Sequence, residues 1–175
     1  MLGACATDTL AGIGPAPLTA GDALAPACAL AEANAAPEPQ PDLPASGETV
    51  SLPVIMGPRT DWFPPETVER FLAQDWQVTP QSSRVGIRLA GEAITRPDNA
   101  ELPSEGTATG AIQVPHSGQP VLFLADHPLT GGYPVIATLH PSALDLAGQL
   151  PPGARIRFEA LAPFAPLTPE DRDVS

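Results

Sequence analysis

Residues 111–139 read AIQVPHSGQPVLFLADHPLTGGYPVIATL, and this stretch decides the fold class. Three short apolar runs alternate in it with prolines, glycines and polar residues. Apolar runs of this length, bounded by turn-forming residues, are typical of β-strands. We therefore predict strands over 111–114, 121–125 and 135–139. The middle run, VLFLA, is apolar throughout, so we expect it to have a neighbouring strand on each side.

The same pattern extends in both directions from this stretch. Further strands are predicted over 50–56, 76–79, 84–89 and 155–161, and short helices over 66–74 and 141–149. The connections are too short for the crossover helices of a parallel sheet. The 24 prolines argue against a helical bundle, because proline breaks helix interiors. The sequence thus predicts a mainly β domain, a mostly antiparallel barrel or sandwich. The predicted core consists of Val54, Ile55, Phe71, Leu72, Val85, Ile87, Leu89, Ile112, Val114, Leu122, Leu124, Ile136, Ile156 and Phe158.

Two flanking segments differ from this domain in composition. Residues 25–48 contain five prolines and many alanines without periodicity. Such a segment buries too little apolar area to offset its ordering entropy, which predicts a linker. Residues 163–175 are rich in proline and acidic residues and are predicted to form a loose tail. The folded domain is therefore expected to span 49–162.

The charge balance excludes several classes of function. Twenty acidic residues stand against eight basic ones, the net charge is −12, and every basic residue is arginine. Without lysine, the chain has no P-loop lysine, no Schiff-base lysine and no lysine that could carry biotin. An acidic surface without basic clusters repels phosphate backbones, so no nucleic-acid partner is expected.

Apolar runs and cysteines bear on the location of the protein. No stretch approaches the length of about 18 apolar residues that a membrane span requires, so no membrane association is predicted. The two cysteines, Cys5 and Cys28, are not preceded by an export signal. This combination favours a reducing compartment, and we expect a cytoplasmic protein.

Polar residues lie near the ends of several predicted strands. They include Arg84, Glu105, Gln113 and Asp126. If the strands pair into one sheet, these side chains converge on a rim where a small molecule can bind. An arginine there can hold a carboxylate or phosphate, and a carboxylate can act as a base or a metal ligand. Simpler interpretations stay open: a surface ion pair for Arg84, solvated charges for the two carboxylates, and an outward-facing strand residue for Gln113.

The segment Thr130-Gly131-Gly132-Tyr133 is the sharpest local signal. Adjacent glycines let a ligand approach the backbone closely, and their N–H groups can form an anion-binding nest. Alternatively, the segment is a tight hairpin between the strands that flank it, and sequence alone favours this hairpin. The three histidines lack the spacing of zinc ligands, so no metal site is predicted.

Five ordered blocks carry a resemblance to a known family. They are SSRVGIRLAG at 82–91, LPSEG at 102–106, GAIQVP at 110–115, LAD at 124–126 and TGGYPVIA at 130–137. In these blocks the chain resembles the family that is variously called the C subunit of 5-oxoprolinase, allophanate hydrolase subunit 2 and biotin-dependent carboxyltransferase.

The resemblance implies a fold and a domain organisation. The block GPRTDWF at 57–63 is also similar to the family. The implied fold is a cyclophilin-like β-barrel subdomain with two short helices. Because the chain resembles the later part of a family member, the N-terminal half of the family fold is expected to be missing. Residues 1–24 are then the remnant of a preceding subdomain.

The resemblance also implies a function. It points to one subunit of an ATP-dependent 5-oxoprolinase, which opens the lactam 5-oxoproline to glutamate with sister A and B subunits and with ATP and Mg²⁺ in the complex. On this interpretation the catalytic residues are Arg84, Glu105 and Asp126. The substrate-binding residues are Gln113, Thr130, Gly131, Gly132 and Tyr133. Two alternatives stay open: a biotin-dependent carboxyltransferase acting on urea or a similar amide, and a non-catalytic, truncated partner protein.

Overall fold

The structure is a computed structural model that describes residues 12–23, 42–97, 100 and 102–162. The predicted linker at 25–48 falls mostly outside these residues, and the predicted tail at 163–175 falls wholly outside them.

The chain divides into two compact units, residues 1–40 and residues 41–175. In the first unit a turn forms where the backbone N–H of Thr19 donates to Asp22 Oδ2 at 2.7 Å. The second unit contains all five sequence blocks named above. No helix in the described ranges is long and apolar enough to cross a membrane.

The described part of the second unit is built mainly from short strands. They are β1 (Thr49–Met56), β2 (Trp76–Val78), β3 (Gly86–Ala90), β4 (Glu105–Gly106), β5 (Ala111–Gln113), β6 (Val121–Phe123), β7 (Thr130–Gly131), β8 (Val135–Leu139) and β9 (Arg155–Ala162). The helices are α1 (Pro65–Ala73) and α2 (Leu144–Ala147), with 3₁₀ turns at Thr60–Trp62 and Pro141–Ala143. Each predicted strand and helix is present within a few residues of its predicted bounds, and β4 and β7 were not predicted.

Seven of the strands close into a barrel in the order β1-β8-β5-β6-β3-β2-β9. All neighbouring pairs are antiparallel except β9 and β1, which run parallel. Closure removes the exposed strand edges that an open sheet would present. The predicted mainly β fold with two short helices is confirmed, as a barrel rather than a sandwich. β6 lies between β5 and β3, as its apolar sequence predicted.

Alternate residues of each strand fill the barrel interior. In β9, Ile156 and Phe158 are buried while the arginines on either side of Ile156 are exposed. Phe71 of α1 is fully buried and stacks on Phe158 with ring centroids 4.8 Å apart. The Trp76 indole lies 6.1 Å from the Phe71 ring, and its Nε1–H donates to the Phe71 carbonyl oxygen at 2.9 Å. These three aromatic rings join α1 to the barrel.

Two of the predicted core residues are exposed, so their assignment was wrong. Ile55 is 40% exposed and Val85 is 46% exposed. Successive side chains of a strand face opposite sides, so Ile55 points outward between two buried neighbours. Val85 precedes the first residue of β3 and lines a cavity outside the barrel. Leu72 and Leu124 are half-buried and pack against the core.

A second, smaller apolar cluster lies on the outer face of the barrel. Ala111, Val121 and Phe123 are 9% exposed or less, although they alternate along β5 and β6 with the interior residues. Strands β4 and β7 form a separate two-stranded sheet. This sheet shares a cavity with Ala111 and Val135, so it lies over the outer face of the barrel.

Candidate functional site

The two-stranded sheet brings two of the sequence blocks together. Glu105 pairs with Gly131 and Gly106 pairs with Thr130. The predicted hairpin through this segment is wrong, because β6 and β8 both pair with β5 rather than with each other. The Gly131-Gly132 segment therefore pairs with a strand about 25 residues earlier in the chain, and not with its own neighbour in sequence.

The glycines of this segment allow it to approach its neighbours closely. Neither Gly131 nor Gly132 has the positive φ of a left-handed residue. A Cβ atom at Gly131 would lie 3.3 Å from Thr107 Cγ2 and 3.4 Å from Gln113 Oε1. A Cβ atom at Gly132 would lie 3.2 Å from the Leu102 carbonyl oxygen. The small residues thus let the segment lie directly against Gln113 and the neighbouring loop.

Two cavities meet at Tyr133, which is half-buried. A small one of about 120 Å³ lies between the two-stranded sheet and the barrel, with Glu105 and Gly131 in its lining. A larger one of about 420 Å³ lies over the outer face of the barrel, and we call it the outer cavity. Its polar lining residues include Ser83, Arg88, Gln113 and Tyr133, and its apolar lining residues include Val121 and Phe123. The volume of the outer cavity is in the range of small-molecule sites.

Arg59 and Glu105 form an ion pair beside the small cavity. Arg59 Nε donates to Glu105 Oε2 at 3.2 Å, and Arg59 Nη2 donates to Glu105 Oε1. Both side chains are about one-third exposed, at 34% and 35%. The hydrogen bond to Glu105 raises the pKa of Arg59, and the charges of Glu105 and Asp61 raise it further against the opposing effect of burial. The guanidinium therefore stays charged, and it holds the Glu105 carboxylate in a fixed orientation.

Arg84 and Asp126 lie apart from this group. Arg84 Nε is 3.5 Å from Asp126 Oδ2, and the two side chains are 74% and 53% exposed. Both line a third cavity of about 610 Å³, together with Leu124 and Leu144. The structure thus divides the predicted site: Glu105, Gln113 and the 130–133 segment meet, whereas Arg84 and Asp126 form a surface ion pair elsewhere.

The loop at 107–109 lies between the small cavity and the third cavity. Thr107 lines the small cavity and Thr109 lines the cavity of about 610 Å³. His127 braces this loop, with Nε2 3.1 Å from Thr109 Oγ1 and its ring stacked on Phe123 at 5.7 Å. His127 Nδ1 lies 2.8 Å from the Pro128 carbonyl oxygen and 3.2 Å from Thr107 Oγ1.

Two arginines of the site were missed by sequence reasoning. Arg59 lies in the GPRTDWF block, and Arg88 lies four residues after Arg84 in the SSRVGIRLAG block. That they lie in these blocks was the only sequence feature that could have placed them in the site, because nothing in the local sequence shows which way each side chain points. Across the ranges that the structure describes, no group of three His, Cys, Asp or Glu side chains could hold a metal ion together.

Gly57 lies directly against β8, and two residues later the Arg59 N–H donates to the Val135 carbonyl oxygen at 3.2 Å. The variant Gly57→Ala tests whether this close contact is needed for stability. A Cβ atom there would lie 2.7 Å from the Val135 carbonyl oxygen and 2.8 Å from the Ala137 nitrogen, and backbone atoms cannot move aside cheaply. We expect Gly57→Ala to lower the free energy of unfolding by about 1–3 kcal/mol, as overpacked variants do. Urea denaturation of the chain measures this loss. Gly106→Ala is the control, because a Cβ atom at Gly106 meets nothing within 4 Å. Equal stability of the two variants would contradict the prediction.

Comparison with known sequences identifies relatives of most of the chain. Residues 1–160 match the family model described as carboxyltransferase domain, subdomain A and B. Over 104 residues, the chain is 38% identical to the C subunit of 5-oxoprolinase from Escherichia coli, covering 59% of the chain and 34% of that protein. Over 139 residues, it is 31% identical to urea amidolyase of Saccharomyces cerevisiae, covering 71% of the chain and 7% of that protein.

Solved structures show the same similarity. The crystal structure of TTHA0988 superimposes with a TM-score of 0.63 at 34% identity, covering 91% of this chain and 30% of that one. The crystal structure of Kluyveromyces lactis urea amidolyase superimposes with a TM-score of 0.63 at 28% identity, covering 69% of this chain and 8% of that one. The chain therefore spans about a third or less of the length of these relatives.

Proposed function

Because the chain belongs to the family of carboxyltransferase domains, subdomains A and B, we propose that it is one subunit of an ATP-dependent 5-oxoprolinase in the cytoplasm. In this role it acts with sister A and B subunits to open 5-oxoproline to glutamate. The observation that supports this most directly is the meeting of Gln113, Tyr133 and the Arg59–Glu105 pair around two adjoining cavities. An amide side chain and a phenol can orient a lactam, and a fixed carboxylate next to them can move a proton.

The chemistry requires activation of a stable amide. Transfer of the γ-phosphoryl group of ATP to the lactam carbonyl oxygen releases ADP and activates the carbonyl carbon. Water then adds to that carbon, and the ring C–N bond breaks as the nitrogen takes up a proton. A second water displaces phosphate to leave glutamate, and cationic side chains stabilise the negative charge that develops during these steps. Arg59 is suited to this task, because its ion pair with Glu105 holds a permanently charged guanidinium beside the small cavity. Glu105 accepts or returns the proton, and Gln113 and Tyr133 hold the ring in place.

ATP and Mg²⁺ are assigned to the partner subunits in this proposal. Glu105 and Asp126 are each engaged by an arginine, at Arg59 and Arg84, rather than facing one another. A magnesium ion at either carboxylate would have to displace the arginine that is paired with it. The donor set in the described residues therefore does not fit a magnesium ion, and the proposed steps for this chain use only its own side chains.

Deletion of the gene tests the proposal. Extracts of the deletion strain are expected to lose ATP-dependent turnover of 5-oxoproline, and re-expression of the gene is expected to restore it. Release of glutamate from labelled 5-oxoproline is the measurement. Unchanged turnover in the deletion strain would rule out the oxoprolinase function.

A biotin-dependent carboxyltransferase acting on urea or a similar amide is the second candidate. It is favoured by the relatives named urea amidolyase, one of which matches 71% of the chain against 59% for the oxoprolinase relative from Escherichia coli. Here a biotin carboxylase and a biotin carrier protein would be the partners. Avidin separates the two functions, because it blocks carboxylation of urea with bicarbonate and leaves 5-oxoproline turnover intact. If deletion of the gene abolished neither 5-oxoproline turnover nor carboxylation of urea, a non-catalytic partner protein would be favoured.

A further inference from the structure

We propose that the outer cavity binds the carboxylate group of a small cyclic amide and that Arg88 is the residue that binds this carboxylate. The inference deepens the proposed function and rests on it for the identity of the ring. It makes Arg88 the residue that distinguishes a carboxylated lactam such as 5-oxoproline from a neutral amide such as urea. The sequence alone had pointed to Arg84 for this role.

The strand register sets Arg88 and Gln113 on opposite sides of one apolar residue. Arg88 of β3 pairs with Val121 of β6, and Val121 pairs with Gln113 of β5. The corresponding interior row is Ile87, Leu122 and Ile112, all buried. Alternation along the strands therefore directs Arg88 and Gln113 to the outer face, where both line the outer cavity.

The spacing of this row suits a small ring. Neighbouring strands lie about 4.8 Å apart, so the Cα atoms of Arg88 and Gln113 are separated by roughly 10 Å. Both side chains line the outer cavity on either side of Val121, and each is long enough to reach a five-membered ring that lies on this apolar floor. A guanidinium at one end binds a carboxylate through two N–H groups, and an amide at the other end matches the N–H and C=O of a lactam.

The charge of the lining favours an anion in an otherwise acidic protein. The net charge of the chain is −12, yet the residues that line the outer cavity include Arg88 and no Asp or Glu. Arg59, Arg70 and Arg84 each face a carboxylate. Among the residues that the structure describes, no carboxylate forms an ion pair with Arg88. Its charge is therefore available to a ligand.

The lining also explains why Arg84 does not serve the same role. Ser83 and Val85 line the outer cavity, whereas Arg84 between them lines the cavity of about 610 Å³ with Asp126. Residues 83–86 form a tight turn, closed by a hydrogen bond from the Gly86 N–H to the Ser83 carbonyl oxygen at 3.1 Å. From this turn Arg84 extends to Asp126, so its guanidinium lies at the other cavity.

Calorimetric titration of the full chain tests the inference with three probes. The probes are 5-oxoproline, its neutral carboxamide, and cyclopentanecarboxylate, which keeps the carboxylate and lacks the lactam. We expect the chain to bind 5-oxoproline about tenfold more tightly than the carboxamide, which corresponds to one charge-assisted contact at a partly exposed site. Arg88→Met is expected to remove this preference, and Arg88→Lys to retain part of it. Arg84→Met is the matched control and is expected to bind like the wild type.

Several outcomes would overturn the inference. They are an absence of 5-oxoproline binding, an unchanged preference in Arg88→Met, and a loss of preference in Arg84→Met equal to that in Arg88→Met. A thermal melt of each variant confirms that it folds, and Arg88 is exposed, so its replacement is not expected to disturb the core. Arg88-dependent binding of cyclopentanecarboxylate without any 5-oxoproline turnover in extracts would support the anion site while refuting the oxoprolinase function.

Discussion

Phe71→Ala is expected to lower the free energy of unfolding of this domain by about 3–5 kcal/mol, a large share of the roughly 5–15 kcal/mol that keeps a domain folded. Phe71 is fully buried and stacks on Phe158 at 4.8 Å. The ring thus connects α1 to the strand that closes the barrel against β1. Its removal leaves a cavity that the surrounding barrel residues cannot fill, because their backbones are held by strand pairing on both sides.

Two further variants define the origin of this loss. Phe71→Leu keeps most of the buried volume and is expected to cost less than about 1.5 kcal/mol. Glu69→Ala changes an exposed residue of the same helix and is expected to leave stability nearly unchanged. Urea denaturation followed by Trp fluorescence measures all three, since Trp76 lies 6.1 Å from the Phe71 ring. A Phe71→Ala midpoint equal to that of Glu69→Ala would show that this aromatic cluster does not hold the domain together.

Glu105→Gln is expected to lower kcat for 5-oxoproline opening by about 100-fold or more in the assembled enzyme, because a glutamine keeps the shape of the side chain but cannot take up a proton. Arg59 donates two hydrogen bonds to this carboxylate. The amide oxygen can still accept one of these hydrogen bonds, and the other is lost because the amide nitrogen only donates. The pair is about one-third exposed, so the β4–β7 sheet is expected to remain in place. Stability should therefore change much less than turnover.

The matched control is a second glutamate that is paired with an arginine away from the site. Glu92 lies 3.3 Å from Arg70, and the two side chains are 69% and 40% exposed. Glu92→Gln is expected to keep full activity, since exposed ion pairs contribute only about 0–1 kcal/mol. Steady-state kinetics with purified partner subunits measure both variants. If Glu105→Gln kept more than half of the wild-type kcat, the ion pair with Arg59 would have a purely structural role.

Because the site lies over the outer face of the barrel, the same strands contribute inward residues to the core and outward residues to the site. Interior residues such as Ile112 and Leu122 form the core. The outward residues that alternate with them, such as Gln113 and Val121, line the outer cavity. A substitution can therefore affect the candidate site without creating a hole in the core, and the variants proposed above separate the two effects.

The local pattern of residues predicted every barrel strand and both helices. Alternation in β9 predicted which residues face inward, because side chains of a strand point to opposite sides in turn. The same rule, applied within β1, would have excluded Ile55 from the core, since its neighbour Val54 was already assigned to the interior. The sequence blocks likewise predicted that Glu105 and the 130–133 segment belong to one site, and the structure pairs Glu105 with Gly131.

Local periodicity by itself determined the seven barrel strands, both helices, the mainly β class and the inward or outward direction of most strand residues. Only the tertiary structure decided the closure of the barrel by parallel pairing of β1 with β9, the ion pair between Arg59 and Glu105, and the choice of Arg88 rather than Arg84 at the outer cavity. The physical reason is that each of these depends on the register between segments far apart in the chain. A shift of one residue in register moves every side chain of a strand to the other face, and no local pattern specifies which register is formed.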